Sequence, residues 1–374
     1  MTLSSSWRGR LLFAAAAAAL LLVAPSVLSD FRLGLLGKYL CFAIVAAGIG
    51  LAWGRGGMLL LGQGIFFGLG AYAMAMHLKL AAAGPGGVPD FMKLYGDGGL
   101  PWWWAPFRHT WFALPMTVLL PMALAAGIGS LIFRRRVRGP YFAILSQALS
   151  AAFVVLLIGF QKTTGGTNGL TNIRDFFGFD LDDPVNRKTI YLVTAVVLLL
   201  VFLLVRQLSQ SRLGQLLIAT RDAEERVRFL GYDPANVKLV AYVAAAGLAG
   251  LAGALYVPVF GSINPSSLDI IPSIEFVIAV AIGGRASLSG PILGAIFLGY
   301  SKTSLSEMSR FANGKWIYPL GGLFIFVVAF FPDGLASVGG VIRRAVRRQD
   351  TDAHTSIPRQ GEPAGAVATS GAAP

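Results

Sequence analysis

Long apolar runs, separated by shorter segments that hold most of the charge, limit the possible folds more than any other feature of this sequence. Only 13% of the residues are charged, whereas 55% are hydrophobic. A soluble domain usually carries about a quarter charged residues. A helix that crosses a bilayer needs roughly 20 apolar residues. The sequence therefore predicts an all-α protein, a polytopic bundle of transmembrane helices.

About ten apolar segments qualify as predicted spans. They lie at residues 11–28, 38–54, 57–78, 111–133, 141–160, 190–205, 238–258, 271–283, 289–305 and 316–332. The segments 271–283 and 289–305 are short and interrupted by glycine, so we expect half-helices or tilted segments that line a cavity. The first run resembles a signal peptide, but no clean A-x-A site follows it, and we expect an uncleaved first helix.

The positions of the basic residues predict the orientation of the bundle. With ten spans, the arginine clusters at 134–138 and 343–348 and the basic segment 206–238 all fall on one side. Lys and Arg are enriched in cytoplasmic loops. We therefore predict that both termini are cytoplasmic. The formal net charge of +13 is attributed to contact with anionic membrane lipid, because no nucleic-acid-binding motif accompanies it.

The chain divides into three predicted parts. Residues 1–37 hold the N-terminal helix, and residues 38–340 form the transmembrane domain with a cytoplasmic loop at 206–237. Residues 341–374 are basic at first and then rich in Ala, Gly, Pro, Ser and Thr. That composition predicts a disordered cytoplasmic tail.

The sequence offers little for catalysis or metal binding. It has one cysteine, Cys41, and its histidines, His77, His109 and His354, lie far apart and outside any metal-binding pattern. There is no paired nucleophile and base within the spans and no phosphate-binding GxxxxGK[ST] loop. We predict neither an enzyme nor a resident cofactor, and any ATP that drives the protein must be bound by a separate subunit.

The segment from Ser209 to Lys238 is the most informative stretch. Its apolar residues predict a short amphipathic helix followed by a second turn, which Gly231 and Pro234 end. A charged loop of this length exceeds what a connection between two spans requires. Taken alone, it fits a helix that docks into a soluble motor subunit and a solvated loop equally well.

The spacing from Glu225 to Gly231 resembles the cytoplasmic EAA-type loop of ABC importer permeases, although Arg226 and Val227 stand in place of its alanines. Longer runs resemble permeases of the LivM/UrtC type, which serve branched-chain amino acids and urea. These runs are WGRGGMLLLGQGIFFGLGAYAMA (53–75), RVRGPYFAILSQAL (136–149), TGGTNGLTNI (164–173), the stretch 212–256, PSIEFVIAVAIGGRASLSGPILGA (272–295) and FFPDGL (330–335). They occur in the family's order over roughly residues 38–340.

Two features resemble the urea branch of this family more than the amino-acid branch. One is the Tyr141–Phe142 start of a span that continues to Gln147, and the other is the tryptophan-containing loop at 88–107. We therefore expect urea as the solute, with branched-chain amino acids as the alternative. A secondary transporter or channel is a more distant alternative, because it would normally carry coupling charges within the membrane and would leave the 206–237 loop unexplained.

The resemblance implies a set of partners and a coupling segment. The partners are a second, homologous permease of the LivH or UrtB kind, cytoplasmic ATPase subunits and a periplasmic substrate-binding protein. The residues expected to couple the chain to the ATPase are Arg212, Gly214, Arg221, Glu224, Glu225, Gly231 and Pro234.

Polar residues within the spans, and two residues at the expected outer mouth, are the candidates for lining the solute pathway, since a small polar solute needs hydrogen-bonding groups. They are Gln63, Tyr141, Gln147, Thr167, Asn168 and Glu275. Glu275 has two interpretations, a role in the pathway or in helix packing, or a solvated position at the interface. The small residues at 247–256 are expected to pack helices together.

Overall fold

The computed structural model describes residues 11, 13–96, 98–135, 140–308, 321, 322 and 325. Helices α1 to α12 are, in chain order, Phe13–Val27, Asp30–Arg55, Gln63–Ala82, Asp90–Tyr95, Thr110–Arg134, Pro140–Gly159, Gln161–Thr164, Pro184–Gln210, Arg212–Phe229, Pro234–Phe260, Ile270–Gly283 and Gly290–Met308. Short 3₁₀ turns lie at Ala105–Arg108, Gly166–Asn168 and Pro265–Leu268. Strands β1 (Asp175–Phe176) and β2 (Phe179–Asp180) pair antiparallel.

Within the described residues, seven helical segments are long and apolar enough to cross a membrane. They are α2, α3, α5, α6, α8, α10 and the stretch Pro265–Gly283, which includes α11. The helical membrane class is thereby confirmed, whereas the count of about ten spans is not. Apart from 321, 322 and 325, the predicted span 316–332 and the tail 341–374 lie outside the described residues.

The centre of the bundle is helix α10, which packs against α2, α3 and α5. Its small residues let the neighbouring backbones approach closely. A Cβ added to Gly253 would lie 1.9 Å from the carbonyl oxygen of Phe67, and one added to Gly70 would lie 2.0 Å from that of Gly250. The predicted packing role of residues 247–256 is confirmed, in keeping with small-residue seams between membrane helices.

The outer helices surround this centre unevenly. Helix α8 and the α11–α12 hairpin pack against α2. The apolar stretches of α5 and α6 are each only 33% buried, against 78% for α3. Large apolar side chains on α5 and α6 therefore face outward, towards lipid or another subunit.

Short-range capping explains where several helices begin. The carboxylates of Asp183 and Asp233 each accept a hydrogen bond from the backbone N–H two residues on, at 2.9 and 3.0 Å. A proline follows each aspartate as the first helical residue, a position that needs no N–H. Pro234 was expected to keep the helix from resuming. It instead starts α10, which corrects the predicted span start at 238.

Helix α3 begins at Gln63, six residues later than the predicted start at 57. Residues 57–62 are not helical, yet Met58 and Leu60 are 6% and 0% exposed. This stretch enters the bundle as non-helical chain. An apolar run of this kind looks the same in sequence whether it is helical or extended, which is why the start was misplaced.

Candidate functional site

Two regions carry the functional features, and the first is the coupling segment, residues 212–234. Helix α9 bends at Ala223, where φ is −152° and ψ is 73°, so the helix has the two parts that the sequence predicts. Gly231 has φ of +85°, the left-handed conformation expected of a glycine that ends a helix. A Cβ on Gly231 would meet no atom within 4 Å, so it is the backbone conformation, and not a lack of space, that favours glycine here.

The coupling segment is held against the end of α2 by Arg221. Its guanidinium donates a hydrogen bond to the carbonyl oxygen of Gly54 at 2.7 Å. Gly54 lies in the turn of π-helix that ends α2, and a Cβ on it would lie 2.0 Å from the carbonyl oxygen of Arg285. Arg285 lies between α11 and α12. The segment is therefore in contact with α2, and α2 with the α11–α12 turn.

Glu224 of the coupling segment pairs with basic residues of α9 and α10. Glu224 accepts from Arg228 at 2.9 Å and from Lys238 at 2.8 Å. Glu225 is exposed. Arg212 is the first residue of α9. Gly214 packs so closely that a Cβ would lie 2.3 Å from the carbonyl oxygen of Ser209. These charges stabilise the segment locally and leave Glu225 free to meet a partner.

An apolar tip, made of Phe229, Leu230 and Tyr232, projects from the end of the coupling segment. The three side chains are 91%, 75% and 53% exposed. Sequence reasoning did not single out these residues. The signal that could have found them was three large apolar residues flanking a glycine at the end of a charged loop. An exposed apolar cluster of this kind commonly marks a protein contact.

The second region lies inside the bundle and begins with a polar junction, formed by Gln63, Gly64, Ser146, Gln147, Ser150 and Ser273. Here the irregular chain before α3 meets α6 and the start of α11. The N–H of Gly64 donates to Ser273 Oγ at 3.2 Å. The Ser150 hydroxyl donates to the carbonyl oxygen of Leu268 at 3.0 Å. A Cβ on Gly62 would lie 2.3 Å from the Ser146 carbonyl oxygen. Non-helical backbone within a membrane domain is tolerated where it is buried or lines a cavity.

Two glutamines of the polar junction have unused hydrogen-bonding groups. Gln63 is 1% exposed, and in the described part of the chain neither its amide oxygen nor its nitrogen has a partner; the same holds for Gln147. A buried polar group without a partner costs about 1–3 kcal/mol. Both residues were predicted to line the pathway, and their free amides fit that prediction, which no observation tests directly.

The other predicted pathway residues are not brought to this junction. Tyr141 is 76% exposed near the start of α6. Thr167 and Asn168 are exposed in the 3₁₀ turn after α7. That turn leads into Leu170, which pairs with Ile263 in an isolated β-bridge. Pathway roles for these three residues stay predictions.

Glu275 lies in a cavity of about 520 Å³ between α2, α11 and α12. Its carboxylate accepts from Lys302 Nζ at 2.6 and 2.9 Å, and its side chain is 15% exposed. Lys38 lines the same cavity. We call this the ionic cavity. The interpretation of Glu275 as simply solvated is wrong, because the carboxylate is largely buried and paired.

Sequence reasoning missed Lys38 and Lys302 as members of this cluster. Lys38 was placed at the first residue of a span, and α2 in fact begins eight residues earlier, at Asp30. Lys302 sat near the end of the segment 289–305. Both therefore looked like interfacial residues. Only the packing of three helices shows that they face one carboxylate.

A family model described as "branched-chain amino acid transport system / permease component" matches residues 31–330. The high-affinity branched-chain amino acid transport system permease protein LivM of Escherichia coli is 28% identical over 316 residues, which are 79% of this chain and 67% of that protein. No solved structure matches the chain.

Two further relatives widen the comparison. The branched-chain amino acid permease protein BraD of Pseudomonas aeruginosa is 23% identical over 79% of this chain and 91% of its own length. The ribose import permease protein RbsC of Escherichia coli is 26% identical over 52% of this chain and 60% of its own length. The similarity to the amino-acid permeases thus extends over more of the chain.

Proposed function

The chain belongs to the branched-chain amino acid transport system permease family, and from this we propose that it is the subunit that translocates a branched-chain amino acid through an ATP-driven importer. As a member of this family it is an ABC-type permease, a multi-pass protein of the inner membrane. Its relatives are transport subunits and not enzymes.

The coupling segment carries the proposal of an ATP-driven mechanism. Gly231 ends α9 with a left-handed residue, and the apolar tip projects beside it with Phe229 91% exposed. The same segment holds the end of α2 through Arg221. A motor subunit that binds the tip could therefore move α2 and, through Gly54 and Arg285, the α11–α12 hairpin.

The partners follow from the same proposal. The tip would bind a cytoplasmic ATPase subunit, which supplies the ATP site that this sequence lacks. A second permease of the LivH kind would cover part of the outward-facing α5 and α6, and a periplasmic binding protein would deliver the solute at the opposite end of the bundle.

Branched-chain amino acids are the first candidate solutes because the relatives LivM and BraD are named for them. Urea, which the 88–107 loop and the Tyr141–Gln147 stretch favour, is not supported by the comparisons. It remains a second candidate because Gln63 and Gln147 present buried amides without partners. Such groups suit a small neutral amide as well as the polar part of an amino acid.

Deletion of the gene separates the two candidates. In cells without other uptake routes, we expect loss of high-affinity import of labelled leucine and unchanged import of labelled urea. Loss of urea import with normal leucine import would move the assignment to urea. A complementing copy of the gene restores the original uptake if the effect belongs to this chain.

Thiol labelling tests the proposed orientation. Cys41 is 0% exposed and is first replaced by Ala to remove background. A cysteine at Asn168 should then react with an impermeant reagent from the periplasm, and one at Ala223 only from the cytoplasm. Labelling of both positions from one side would overturn the proposed topology.

A further inference from the structure

The ionic cavity contains more positive charge than its carboxylate can neutralise. Among the described residues, three charged side chains line it, namely Lys38 from α2, Glu275 from α11 and Lys302 from α12. Lys302 and Glu275 form an ion pair at 2.6 Å. Lys38 lies about 12 Å along α2 from its first residue, within the helix that crosses the membrane. One lysine is thus in excess.

Lys38 is held by aromatic rings and not by an anion. Its ammonium lies 4.6 Å from the ring centroid of Phe260 and 5.8 and 5.9 Å from those of Phe42 and Tyr256. An ammonium carries three N–H donors. In the described part of the chain no carboxylate pairs with Lys38, and its ammonium contacts ring faces instead. It is therefore ready to bind an anionic oxygen.

The walls of the cavity are apolar and aromatic around this charge. Phe42, Phe67, Tyr256 and Phe276 line it, and Ser266 lies at its edge on the 3₁₀ turn. Its volume of about 520 Å³ lies within the range of small-molecule pockets, roughly 300–1,000 Å³. The cavity thus offers a charged group and apolar walls. An apolar amino acid has the matching parts, a charged carboxylate and an apolar side chain.

We propose that the ionic cavity binds the carboxylate of the transported solute, with Lys38 as its anchor and the aromatic walls holding the apolar side chain. The inference rests on the proposed function and specifies where the solute is held. A residual positive charge within a membrane domain is costly and marks a functional position. The Glu275–Lys302 pair then serves to position α11 and α12 and to offer a carboxylate oxygen to the solute's ammonium group.

The charge of the cavity can be tested without transport. The purified importer, carrying Ser266→Cys and Cys41→Ala, is placed in phosphatidylcholine nanodiscs and treated with two small thiol reagents of equal reach. Each labelling rate is divided by the rate of the same reagent with free cysteine. Local positive charge concentrates anions, so the normalised rate of a sulfonate reagent should be at least about threefold higher than that of a trimethylammonium reagent. Leucine should slow the labelling, whereas leucinol, which lacks the carboxylate, should not at the same concentration.

Substitutions assign the effect to Lys38. Lys38→Gln should abolish both the reagent preference and the protection by leucine, and Lys38→Arg should keep both. The matched control is Lys188→Gln, which removes a lysine paired with Asp30 at 3.9 Å outside the cavity lining and should change neither. The comparisons of the two reagents and of leucine with leucinol use a protein in which Lys38 is intact. They therefore test the charge of the cavity and its binding of a carboxylate even if Lys38→Gln does not fold.

Three results would overturn the inference. They are equal normalised rates for the two reagents, equal protection by leucine and leucinol, and protection that appears only when anionic lipid is added to the nanodisc and that leucine does not provide. The last would mean that a lipid headgroup occupies the cavity. Protection by leucine in a chain whose deletion affects only urea import would refute the proposed function, and it would leave the cavity as a carboxylate-binding site that does not hold the transported solute.

Discussion

The coupling segment and the ionic cavity both contain charged residues, but the surroundings of these charges differ. In the coupling segment charged residues pair with one another while the apolar side chains of Phe229 and Leu230 project outward. In the cavity the charges face inward and aromatic rings surround them. The first arrangement suits a protein contact that depends on shape, and the second suits binding of a charged solute group. Mutations at the two regions should therefore differ in kind and in size.

The largest effect is expected in the cavity. Glu275→Gln leaves Lys38 and Lys302 facing one another without a carboxylate. Loss of one partner of a buried pair costs about 3–5 kcal/mol, but Lys302 is 38% exposed, so screening reduces the expected loss to about 1–2 kcal/mol. Thermal unfolding in detergent should show the lower stability, and uptake should fall at least about tenfold. The control, Asp90→Asn, breaks an exposed pair with Lys93. An equal loss of stability and uptake in this control would show that the buried pair of the cavity has no special role.

A smaller but specific effect is expected at the apolar tip. Phe229→Ser removes its most exposed ring, and a central interface aromatic is worth about 2 kcal/mol or more. The ATPase subunits should then co-purify poorly with the permease pair, and uptake should fall several-fold. Phe179→Ser changes an aromatic residue that is 61% exposed in the β1–β2 hairpin and should leave co-purification unchanged. If both variants lose the ATPase equally, the tip is not its binding site.

The contact between the coupling segment and α2 should matter less. Arg221→Gln removes the guanidinium that donates to the Gly54 carbonyl oxygen at 2.7 Å. The Arg221 side chain is 41% exposed, so we expect about 1 kcal/mol and a several-fold fall in solute moved per ATP hydrolysed. Arg226→Gln, at an exposed position on the same helix, should leave that ratio intact. An unchanged ratio in the Arg221 variant would show that this hydrogen bond does not transmit motion.

The smallest effect is expected from the surface charges of the coupling segment. Asp222→Asn weakens the pair with Arg221, in which the two side chains are 59% and 41% exposed. Surface pairs of this kind contribute about 0–1 kcal/mol. Uptake should change by less than about twofold in a direct transport assay. A tenfold loss would mean that charge, and not shape, governs this region.

The two regions also differ in how well the sequence predicted them. The coupling segment depends on short-range signals, a glycine that tolerates a positive φ and a proline that follows an aspartate. Its bend, its left-handed end at Gly231 and its length could all be predicted. The cavity depends on contacts between residues as far apart as Lys38 and Lys302, and no local pattern encodes which helices become neighbours.

Apolar composition also limits what can be predicted within the membrane domain. Met58 and Leu60 lie in an apolar run. Such a run looks like part of a membrane span whether its backbone is helical or irregular. The sequence therefore predicted a helix where the structure has the irregular entry to the polar junction. It did place Gln63 and Gln147 in the interior, because a polar side chain within a transmembrane run usually faces the inside of the bundle.

Gly231 offers the sharpest test of the proposed coupling role of residues 212–234. Its φ of +85° penalises a β-branched residue by about 1–2 kcal/mol, while asparagine tolerates this conformation. No atom lies within 4 Å of an added Cβ, so a clash at the Cβ does not cause the effect. The measurement is solute-stimulated ATP hydrolysis and leucine uptake by the complete importer in liposomes. We predict that both fall together about tenfold in Gly231→Val and stay near the parental level in Gly231→Asn, with membrane insertion and pairing normal in each. A Gly231→Val protein that assembles and transports at the parental rate would contradict the proposed coupling role of this segment.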